Sequence, residues 1–432
     1  MTTILASAYA VNPYKGSEDG MGWNFVLQIA RFNRILVVTR KNNREAIEKY
    51  QRANPDSRYK NISFYYFDWP YILRAWKRKG QGALLYFYLW QMTLPLFVLA
   101  QKLKFDITHN LNFHNDWTPS FLWTLGKPLV WGPVGHHPKI PAAFVQSGKP
   151  FKDKLKNSMT WLAKKFFWNL DPFVFLTKKK SNKVLAMHSG VAKELRLDAK
   201  QWEYMPSVAS EWHNDQKTVH GEGFKVLSVG RFVSLKGFDV TLRAFARFHH
   251  RLPENQKAQS QLHLIGKGPL EDYLKNLSKR LGIDKAVTFT SWIDRNELMK
   301  IYQESDVFLF PSHEGAGMVV SEALSYGLPV ICFDNEGPGE FVDNSCGRKV
   351  PYGEYDYTVI QFANRLTELY YNPIQRKQLS RQARSHFEQW FAWDQRGLQL
   401  RDVYDQVLGH SQAAFSKQQF TPQTKNDAYV SA

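Results

Sequence analysis

The stretch from Asp306 to Val330 reads DVFLFPSHEGAGMVVSEALSYGLPV. It opens with an apolar run of buried-strand length that ends at Phe310, where a proline follows. From Met318 to Tyr326 good helix formers recur at helical spacing, and Gly327 then acts as a helix stop. The stretch therefore predicts a buried strand, a glycine-rich turn and a helix.

Two glutamates flank this turn. Glu314 lies on the loop at the carboxyl end of the predicted strand, and Glu322 lies about one turn into the predicted helix. Gly315 and Gly317 leave room for a ligand near the backbone, and the first N–H groups of a helix attract a diphosphate. The alternative is an ordinary strand, turn and helix with a solvated carboxylate.

Composition sets the class of protein. A chain of 432 residues with 44% apolar and 15% aromatic content predicts at least two folded domains. Its two cysteines, Cys332 and Cys346, lack metal-ligand spacing and cannot build a disulfide framework, which fits a reducing cytosol. The first ten residues predict a strand and no signal peptide. The net charge of +18 indicates a polyanionic partner, either nucleic acid or an anionic membrane surface.

Strands and helices alternate at short intervals in both halves of the chain. This alternation predicts an α/β fold with parallel, doubly wound sheets, which bind ligands beyond the carboxyl ends of their strands. We predict a first domain over 1–208, a linker over 209–223 and a second domain over 224–390. The polar tail over 410–432 has no periodicity and is expected to be disordered.

The spacing of Glu314 and Glu322 resembles the Glu-x7-Glu signature of the retaining glycosyltransferases of family 4, the large group 1 set with the GT-B fold. The resemblance covers most of the chain. It implies two Rossmann-like domains that face each other across a cleft, completed by a C-terminal helix over 391–409 that returns to the first domain. It also implies that Glu314 lies by the donor sugar and that Glu322 contacts the nucleotide ribose. The turn residues expected around the donor are Gly315, Ala316, Gly317, Met318 and Val319, although Ala316 stands where the family often has a larger apolar residue.

A second motif of the resembled family occurs on another loop between a strand and a helix. Residues 230–237 read GRFVSLKG, similar to the Gly-Arg-x4-Lys-Gly element whose cations, here Arg231 and Lys236, hold the donor diphosphate. Fixed cations there stabilise the negative charge that grows on the departing phosphate. Gly266 and Gly268 lie on a turn that borders the nucleotide in similar enzymes. The sequence contains no Asp-x-Asp triplet, so neither a metal bridge to the diphosphate nor a cofactor is expected.

The first half supplies further candidates. Gly16, Ser17 and Gly20 lie on the loop after the first strand, which contacts donor phosphate or acceptor in the resembled family; a plain turn is the alternative. The glycines do not match the Gly-x-Gly-x-x-Gly fingerprint, which disfavours a hydride-transfer enzyme.

Further along, the family has a His or Asp on the acceptor side of the cleft. His109, His114 and Asp116 are the candidates for this position, and we assign a catalytic role to the two histidines. Each of them alone is also consistent with a structural role. The WGPVG loop over 131–135 is similar to that of a subgroup active in cell-surface polysaccharide assembly.

Two helical stretches are candidates for contact with a membrane. Residues 83–100 are apolar, but Gln91 and Pro95 interrupt them, which favours a helix buried in the domain or lying against lipid over a transmembrane span. Residues 151–170 are typical of an interfacial membrane helix, or of an amphipathic helix packed on its own domain. Their apolar positions and lysines are Phe151, Leu155, Met159, Leu162 and Phe166, with Lys152, Lys154, Lys156, Lys164 and Lys165.

Together these features predict a metal-independent, retaining glycosyltransferase of cell-surface polysaccharide assembly. Its expected partners are a nucleotide-sugar donor, a glycan or lipid-linked saccharide acceptor and an anionic membrane surface, without nucleic acid. We expect it on the inner face of the cell membrane as a peripheral, cytoplasmic protein. The alternatives are a catalytically inactive GT-B subunit that binds glycan or lipid, and a basic nucleic-acid-binding protein, which would leave the paired glutamates unexplained.

Overall fold

A computed structural model describes residues 1–74, 82–113, 115–145, 151–210, 223–291 and 293–410, without the side chains of residues 151–158. The described chain divides into two units. The amino-terminal unit contains Met1–Gly135, Leu170–Pro206 and the residues from Leu398, and the carboxyl-terminal unit contains His136–Asn169 and Ser207–Gly397. Most of the predicted linker and most of the predicted disordered tail lie outside the described residues.

The amino-terminal unit is built on a parallel sheet with the strand order β3-β2-β1-β4-β5-β6-β7. The chain adds strands outward from β1 on one side and then crosses to start again at β4 on the other. This places the topological switch point between β1 and β4, where ligands bind in such sheets. The strands are β1 (Thr3–Ser7), β2 (Arg34–Thr39), β3 (Ile62–Tyr66), β4 (Ile107–Asn110), β5 (Leu129–Val134), β6 (Lys183–Ala186) and β7 (Trp202–Tyr204).

The carboxyl-terminal unit repeats the plan with a parallel sheet in the order β10-β9-β8-β11-β12-β13. Here the switch point lies between β8 and β11, two strands whose residues are almost all buried. The prediction of two doubly wound parallel sheets is confirmed. The strands are β8 (Phe224–Val229), β9 (Ser260–Ile265), β10 (Val287–Thr290), β11 (Val307–Phe310), β12 (Val330–Phe333) and β13 (Gly347–Val350).

Helices connect the strands. The first begins at Ser17 and carries acidic residues in its first turn, where the helix dipole favours them. The helices of the described chain are α1 (Ser17–Ile29), α2 (Arg44–Ala53), α3 (Tyr71–Arg74), α4 (Ala83–Ala100), α5 (Phe151–Leu170), α6 (Pro172–Lys180), α7 (Ser189–Leu195), α8 (Phe238–His250), α9 (Glu254–Lys257), α10 (Glu271–Arg280), α11 (Arg295–Glu304), α12 (Met318–Ser325), α13 (Pro338–Phe341), α14 (Tyr355–Tyr371), α15 (Pro373–Trp390) and α16 (Trp393–Leu408).

Residues 136–169 belong to the carboxyl-terminal unit, although the predicted first domain ran without interruption to residue 208. Two apolar side chains of this segment pack on the core of the carboxyl-terminal unit: Phe144, which is buried there, and Ile140, which is partly buried. The ring centroid of Phe144 lies 5.2 Å from that of His313 and 5.3 Å from that of Phe333, and Tyr352 and Tyr355 complete the contact. Burial of one phenylalanine contributes roughly 1.5–3 kcal/mol, enough to hold a short segment against this unit.

Candidate active site

The turn between β11 and α12 forms the centre of the candidate site. As predicted, Glu314 lies on the loop that follows β11, and Glu322 is the fifth residue of α12. Asn335 helps to hold the loop after β11, because its side-chain amide donates a hydrogen bond of 2.9 Å to the carbonyl of Ser312. The N–H groups of the first turn of α12 thus begin directly after the glutamate loop.

The loop after β8 packs against this turn. It contains Arg231 and a short 3₁₀ helix over Ser234–Lys236, and it ends at Gly237, whose φ of 65° requires glycine. A β-carbon at Gly237 would lie 2.0 Å from the carbonyl oxygen of Pro311. The backbone N–H of His313 also donates a 2.8 Å hydrogen bond to the carbonyl of Leu235. The two loops at the switch point are therefore locked to each other through their backbones.

This packing brings the first glutamate and the predicted phosphate-binding lysine into direct contact. The ammonium of Lys236 donates a hydrogen bond to Glu314 Oε1, and the two side chains are only 16% and 12% exposed. Burial raises the pKa of Glu314, while the charge of Lys236 and hydrogen bonds from Lys236 and Ser312 oppose that rise. The ammonium also lies 5.1 Å from the ring centre of Phe310. The arrangement fixes one cation at the mouth of the switch point.

Glu322 lies deeper, against α11. The hydroxyl of Tyr302 donates a 3.2 Å hydrogen bond to Glu322 Oε2, and Tyr302 is itself buried and stacked on Tyr326. Burial raises the pKa of Glu322, and the positive charge of Arg295 and the Tyr302 hydrogen bond lower it. The carboxylate is therefore held in a fixed orientation, as an acceptor for paired ligand hydroxyls needs to be.

The turn after β9, which contains Gly266 and Gly268, has a structural role that was not predicted from the sequence. Gly266 has a φ of 152°, and a β-carbon there would lie 1.9 Å from the carbonyl oxygen of Gly230. At Gly268 the nearest atom, the carbonyl oxygen of Phe232, would be 2.5 Å away. These two residues let the turn after β9 approach the Arg231 loop closely. Their contact with a donor remains a prediction, as does that of Gly315, Ala316, Gly317, Met318 and Val319, which lie at the start of α12.

The candidates in the amino-terminal unit have different surroundings. Gly16 and Ser17 lie at the N-terminus of α1 and are exposed, and Gly20 lies one turn further. His114 lies outside the described residues. Their donor or acceptor roles stay predictions.

His109, which is predicted to have a catalytic role, lies in the core of the amino-terminal unit. It is fully buried in β4; its Nε2 donates a 2.7 Å hydrogen bond to the carbonyl of Gly132, and its Nδ1 then accepts one of 2.6 Å from Tyr404 of α16. Burial lowers the pKa of His109 to about 4, so the ring is neutral at physiological pH. The imidazole joins β4, β5 and α16, which indicates a structural role, and the catalytic role of His109 stays a prediction.

Two groups at the switch points were missed by sequence reasoning. Oε2 of Glu18 accepts a 3.1 Å hydrogen bond from the N–H of Phe113 on the loop after β4, and burial raises the pKa of Glu18. In the other unit His313 stacks on Phe333 and shares a 2.9 Å hydrogen bond with the hydroxyl of Tyr352. His313 directly precedes Glu314, which was a signal available in the sequence.

Among the described residues one mixed cluster could present atoms to a metal ion. The side-chain donor atoms of Asp343, Cys346 and His386 lie within 4.8 Å of one another. However, Asp343 Oδ1 already accepts hydrogen bonds within its own turn, from the backbone N–H groups of Ser345 and Cys346. Nε2 of His386 donates a 2.9 Å hydrogen bond to the carbonyl of Phe341. Protein contacts account for this cluster.

Comparison with known proteins agrees with the geometry. The family model described as glycosyl transferases group 1 matches residues 210–386, which contain both loops of the candidate site. An uncharacterized glycosyltransferase of Haemophilus influenzae is 38% identical over 120 residues, which are 27% of this chain and 31% of that protein. The lipopolysaccharide core biosynthesis glycosyltransferase LpsE of Rhizobium meliloti is 36% identical over 131 residues, 30% of this chain and 35% of LpsE. The chain thus spans about a third of the length of these two curated relatives.

Solved structures extend the similarity to nearly the whole chain. Sucrose-phosphate synthase from Thermosynechococcus elongatus matches with a TM-score of 0.63 at 17% identity, covering 95% of this chain and 100% of that one. Anabaena HepE, solved in complex with UDP, matches with a TM-score of 0.57 at 15% identity, covering 94% and 100%. At such identities the likeness concerns the fold. Residues 210–386 are therefore similar to the glycosyl transferases group 1 family, in a chain whose two parallel sheets have the GT-B fold.

Proposed function

We propose that the protein is a retaining glycosyltransferase that moves a sugar from a nucleotide-sugar donor to a hydroxyl of a glycan or lipid-linked saccharide. The observation that carries this proposal is the buried contact of Lys236 with Glu314 at the switch point between β8 and β11. A cation held at the carboxyl ends of parallel strands, beside a helix N-terminus, suits an anionic ligand. The proposed acceptor class follows from the similarity to proteins such as LpsE.

The donor diphosphate is proposed to lie between the N-terminus of α12 and the side chains of Arg231 and Lys236. The backbone N–H groups after Gly317 supply partial positive charge, and the two side chains supply full charges. A buried ammonium that already faces one carboxylate is held in place before the donor arrives. Its position therefore costs no reorganisation when negative charge develops on the phosphate.

The reaction breaks the bond between the anomeric carbon and the phosphate oxygen and forms one from that carbon to the acceptor oxygen. The proton of the acceptor hydroxyl passes to the leaving phosphate on the same face, so the anomeric configuration is retained. Lys236 and Arg231 stabilise the departing diphosphate in this scheme, and Glu314 lies beside the sugar. Glu322 holds the ribose through its fixed carboxylate.

The positive charge that balances the negative diphosphate is proposed to come from protein side chains and not from a bridging metal ion. We therefore expect turnover of the nucleotide sugar to continue in the presence of EDTA, measured as release of nucleoside diphosphate. Loss of turnover with EDTA and recovery with magnesium or manganese would contradict this expectation. A change in the thermal unfolding midpoint with EDTA, recorded in parallel, separates an effect on stability from one on the reaction.

We also propose that the protein works as a peripheral protein on the cytoplasmic face of the cell membrane, where a lipid-linked acceptor would be found. Exposed apolar side chains on α5 support this, because Met159, Leu162, Phe166 and Leu170 recur at helical spacing and none of them is buried. Lys165 is exposed beside them, and Lys164 lies 4.5 Å from the ring centre of Trp161. An apolar stripe with adjoining lysines is the composition of an interfacial helix.

A further inference from the structure

Helix α4 has two apolar faces, and the residues that the structure describes cover only one of them. Tyr86, Phe87, Trp90, Leu94 and Val98 are buried against the sheet of the amino-terminal unit. The opposite face consists of Leu85, Met92, Leu96 and Leu99, which are 57%, 39%, 68% and 62% exposed. We name these four residues the α4 face.

The α4 face is a continuous stripe and not a scatter of single residues. Its members are spaced by seven, four and three positions, which puts them on one side of a helix over about four turns. The whole of α4, Ala83–Ala100, contains no charged residue. Contiguous exposed apolar surface of this kind marks a site of interaction with a protein or a membrane, because water does not favour it.

Helices α3 and α6 also carry exposed apolar side chains. In α3 the side chains of Tyr71, Ile72 and Leu73 are all exposed. The segment just before α3 is hydrogen-bonded to α4, because the indole N–H of Trp69 donates a 2.8 Å hydrogen bond to Thr93 Oγ1. On α6, Phe175 is exposed as well. Exposed apolar side chains therefore also occur outside α4.

A transmembrane orientation of α4 does not fit its anchoring to the fold. Trp90 Nε1 donates a 2.9 Å hydrogen bond to the carbonyl of Phe67, and the hydroxyl of Tyr86 lies 2.6 Å from Asp68 Oδ1. Gln91 and Ser7 are hydrogen-bonded in the buried interior. A helix that crossed the bilayer would have to leave these partners, whereas a helix lying in the plane of the interface keeps them.

Charge decides between lipid and a second copy of the chain as the occupant of this surface. Lys102 and Lys104 are exposed just beyond the C-terminus of α4, and Lys179 and Lys180 are exposed at the end of α6. In a chain of net charge +18, two such faces brought together would also bring these lysines together. An anionic lipid surface instead attracts them while it accepts the leucines.

We propose that the α4 face lies in the headgroup boundary of an anionic membrane and holds the amino-terminal unit there. This inference rests on the proposed function, because a membrane-held transferase would meet a lipid-linked acceptor at that surface. It differs from the proposal for α5 in the helix that makes the contact. The leucines insert, and the flanking lysines contact the lipid phosphates.

Co-sedimentation with vesicles of equimolar phosphatidylglycerol and phosphatidylcholine tests the proposal. We expect the Leu96→Glu, Leu99→Glu double variant to partition at least roughly tenfold less than wild type, because two inserted leucines become charged. The matched control is Ile374→Glu, a similarly exposed apolar position on α15, 86% exposed, which should leave partition unchanged. Partition of the double variant equal to that of wild type would overturn the proposal.

Three further measurements keep the outcome clear. Should the double variant fail to keep the wild-type unfolding midpoint, Leu96→Gln with Leu99→Gln replaces it. Sedimentation velocity without vesicles must show the same mass for wild type and variant, since a dimer lost in the variant would identify a second copy as the occupant and overturn the proposal. Nucleotide-sugar turnover on a soluble acceptor should be unchanged in the variant. A wild type that binds vesicles without any turnover would contradict the proposed function and leave the α4 inference standing.

Discussion

Replacement of Lys236 by alanine is expected to lower the turnover of the nucleotide sugar by about two orders of magnitude, or about 2.7 kcal/mol in activation free energy. The ammonium is held by Glu314 at the switch point. In the proposed reaction, its interaction with the leaving phosphate strengthens as the glycosidic bond breaks. An interaction that is stronger in the transition state than in the ground state appears in kcat as well as in kcat/KM. Steady-state kinetics with one donor and a soluble acceptor measures both.

The chain offers a matched control for this variant. Lys275 on α10 also contacts a glutamate, Glu271, at 2.8 Å, but the pair is on the surface. Lys275→Ala should leave turnover unchanged, because an exposed pair contributes little and faces no proposed ligand. Equal losses of turnover in Lys236→Ala and Lys275→Ala would show that Lys236 has no specific role in the reaction.

Lys236→Ala should also change how stability depends on pH. Without the ammonium, burial raises the pKa of Glu314 unopposed by that charge. A carboxyl whose pKa is higher in the folded than in the unfolded protein takes up a proton on folding. The free energy of unfolding of the variant therefore falls as the pH rises above the ordinary glutamate range. Urea unfolding of the variant at pH 5 and pH 8, compared with wild type, separates this effect on stability from the loss of turnover.

Glu322→Gln is expected to weaken donor binding by on the order of tenfold to a hundredfold, equivalent to about 1.5–3 kcal/mol for hydrogen bonds to a charged group. The amide keeps the shape of the side chain but loses the charge that accepts from two ribose hydroxyls. Because the ribose does not react, the loss should appear in the dissociation constant more than in kcat. Calorimetric titration with the nucleoside diphosphate measures it directly.

The control for Glu322 is Glu304→Gln at the end of α11, where the carboxylate forms an exposed ion pair of 3.1 Å with Lys225. Nucleotide affinity should not change in that variant. An unchanged affinity in Glu322→Gln as well would show that the ribose contact is assigned to the wrong residue. In that case the role of the Glu322 carboxylate would be structural, as the acceptor of the buried hydrogen bond from Tyr302.

The elements that local pattern determines were predictable from the sequence. The strand before Pro311 and the helix after Gly317 follow from an apolar run, a turn and helical spacing, and the structure has them where predicted. The contact of Lys236 with Glu314 was not predicted, and it arises because β8 and β11 are neighbours in the parallel sheet. Short-range signals thus position most of the candidate site in the carboxyl-terminal unit.

Features that depend on distant parts of the chain were not predictable. The structural role of His109 requires Tyr404, which lies on the last helix, and no local pattern links the two. The placement of residues 136–169 depends on the pocket around Phe144, formed by residues far along the chain. Likewise, the apolar composition of α4 was evident, but which of its faces is covered depends on the packing of the sheet.

The central claim is that the loops after β8 and β11 bind and activate a nucleotide sugar. A panel of nucleotide sugars, with UDP-sugars first because HepE was solved with UDP, tests it by thermal unfolding and by nucleoside diphosphate release. The account predicts that at least one donor at a hundred times its dissociation constant adds about 2.7 kcal/mol to the free energy of unfolding and is consumed. It would be contradicted if no nucleotide sugar stabilised the protein or was consumed, while an oligonucleotide bound with an affinity that falls steeply with salt.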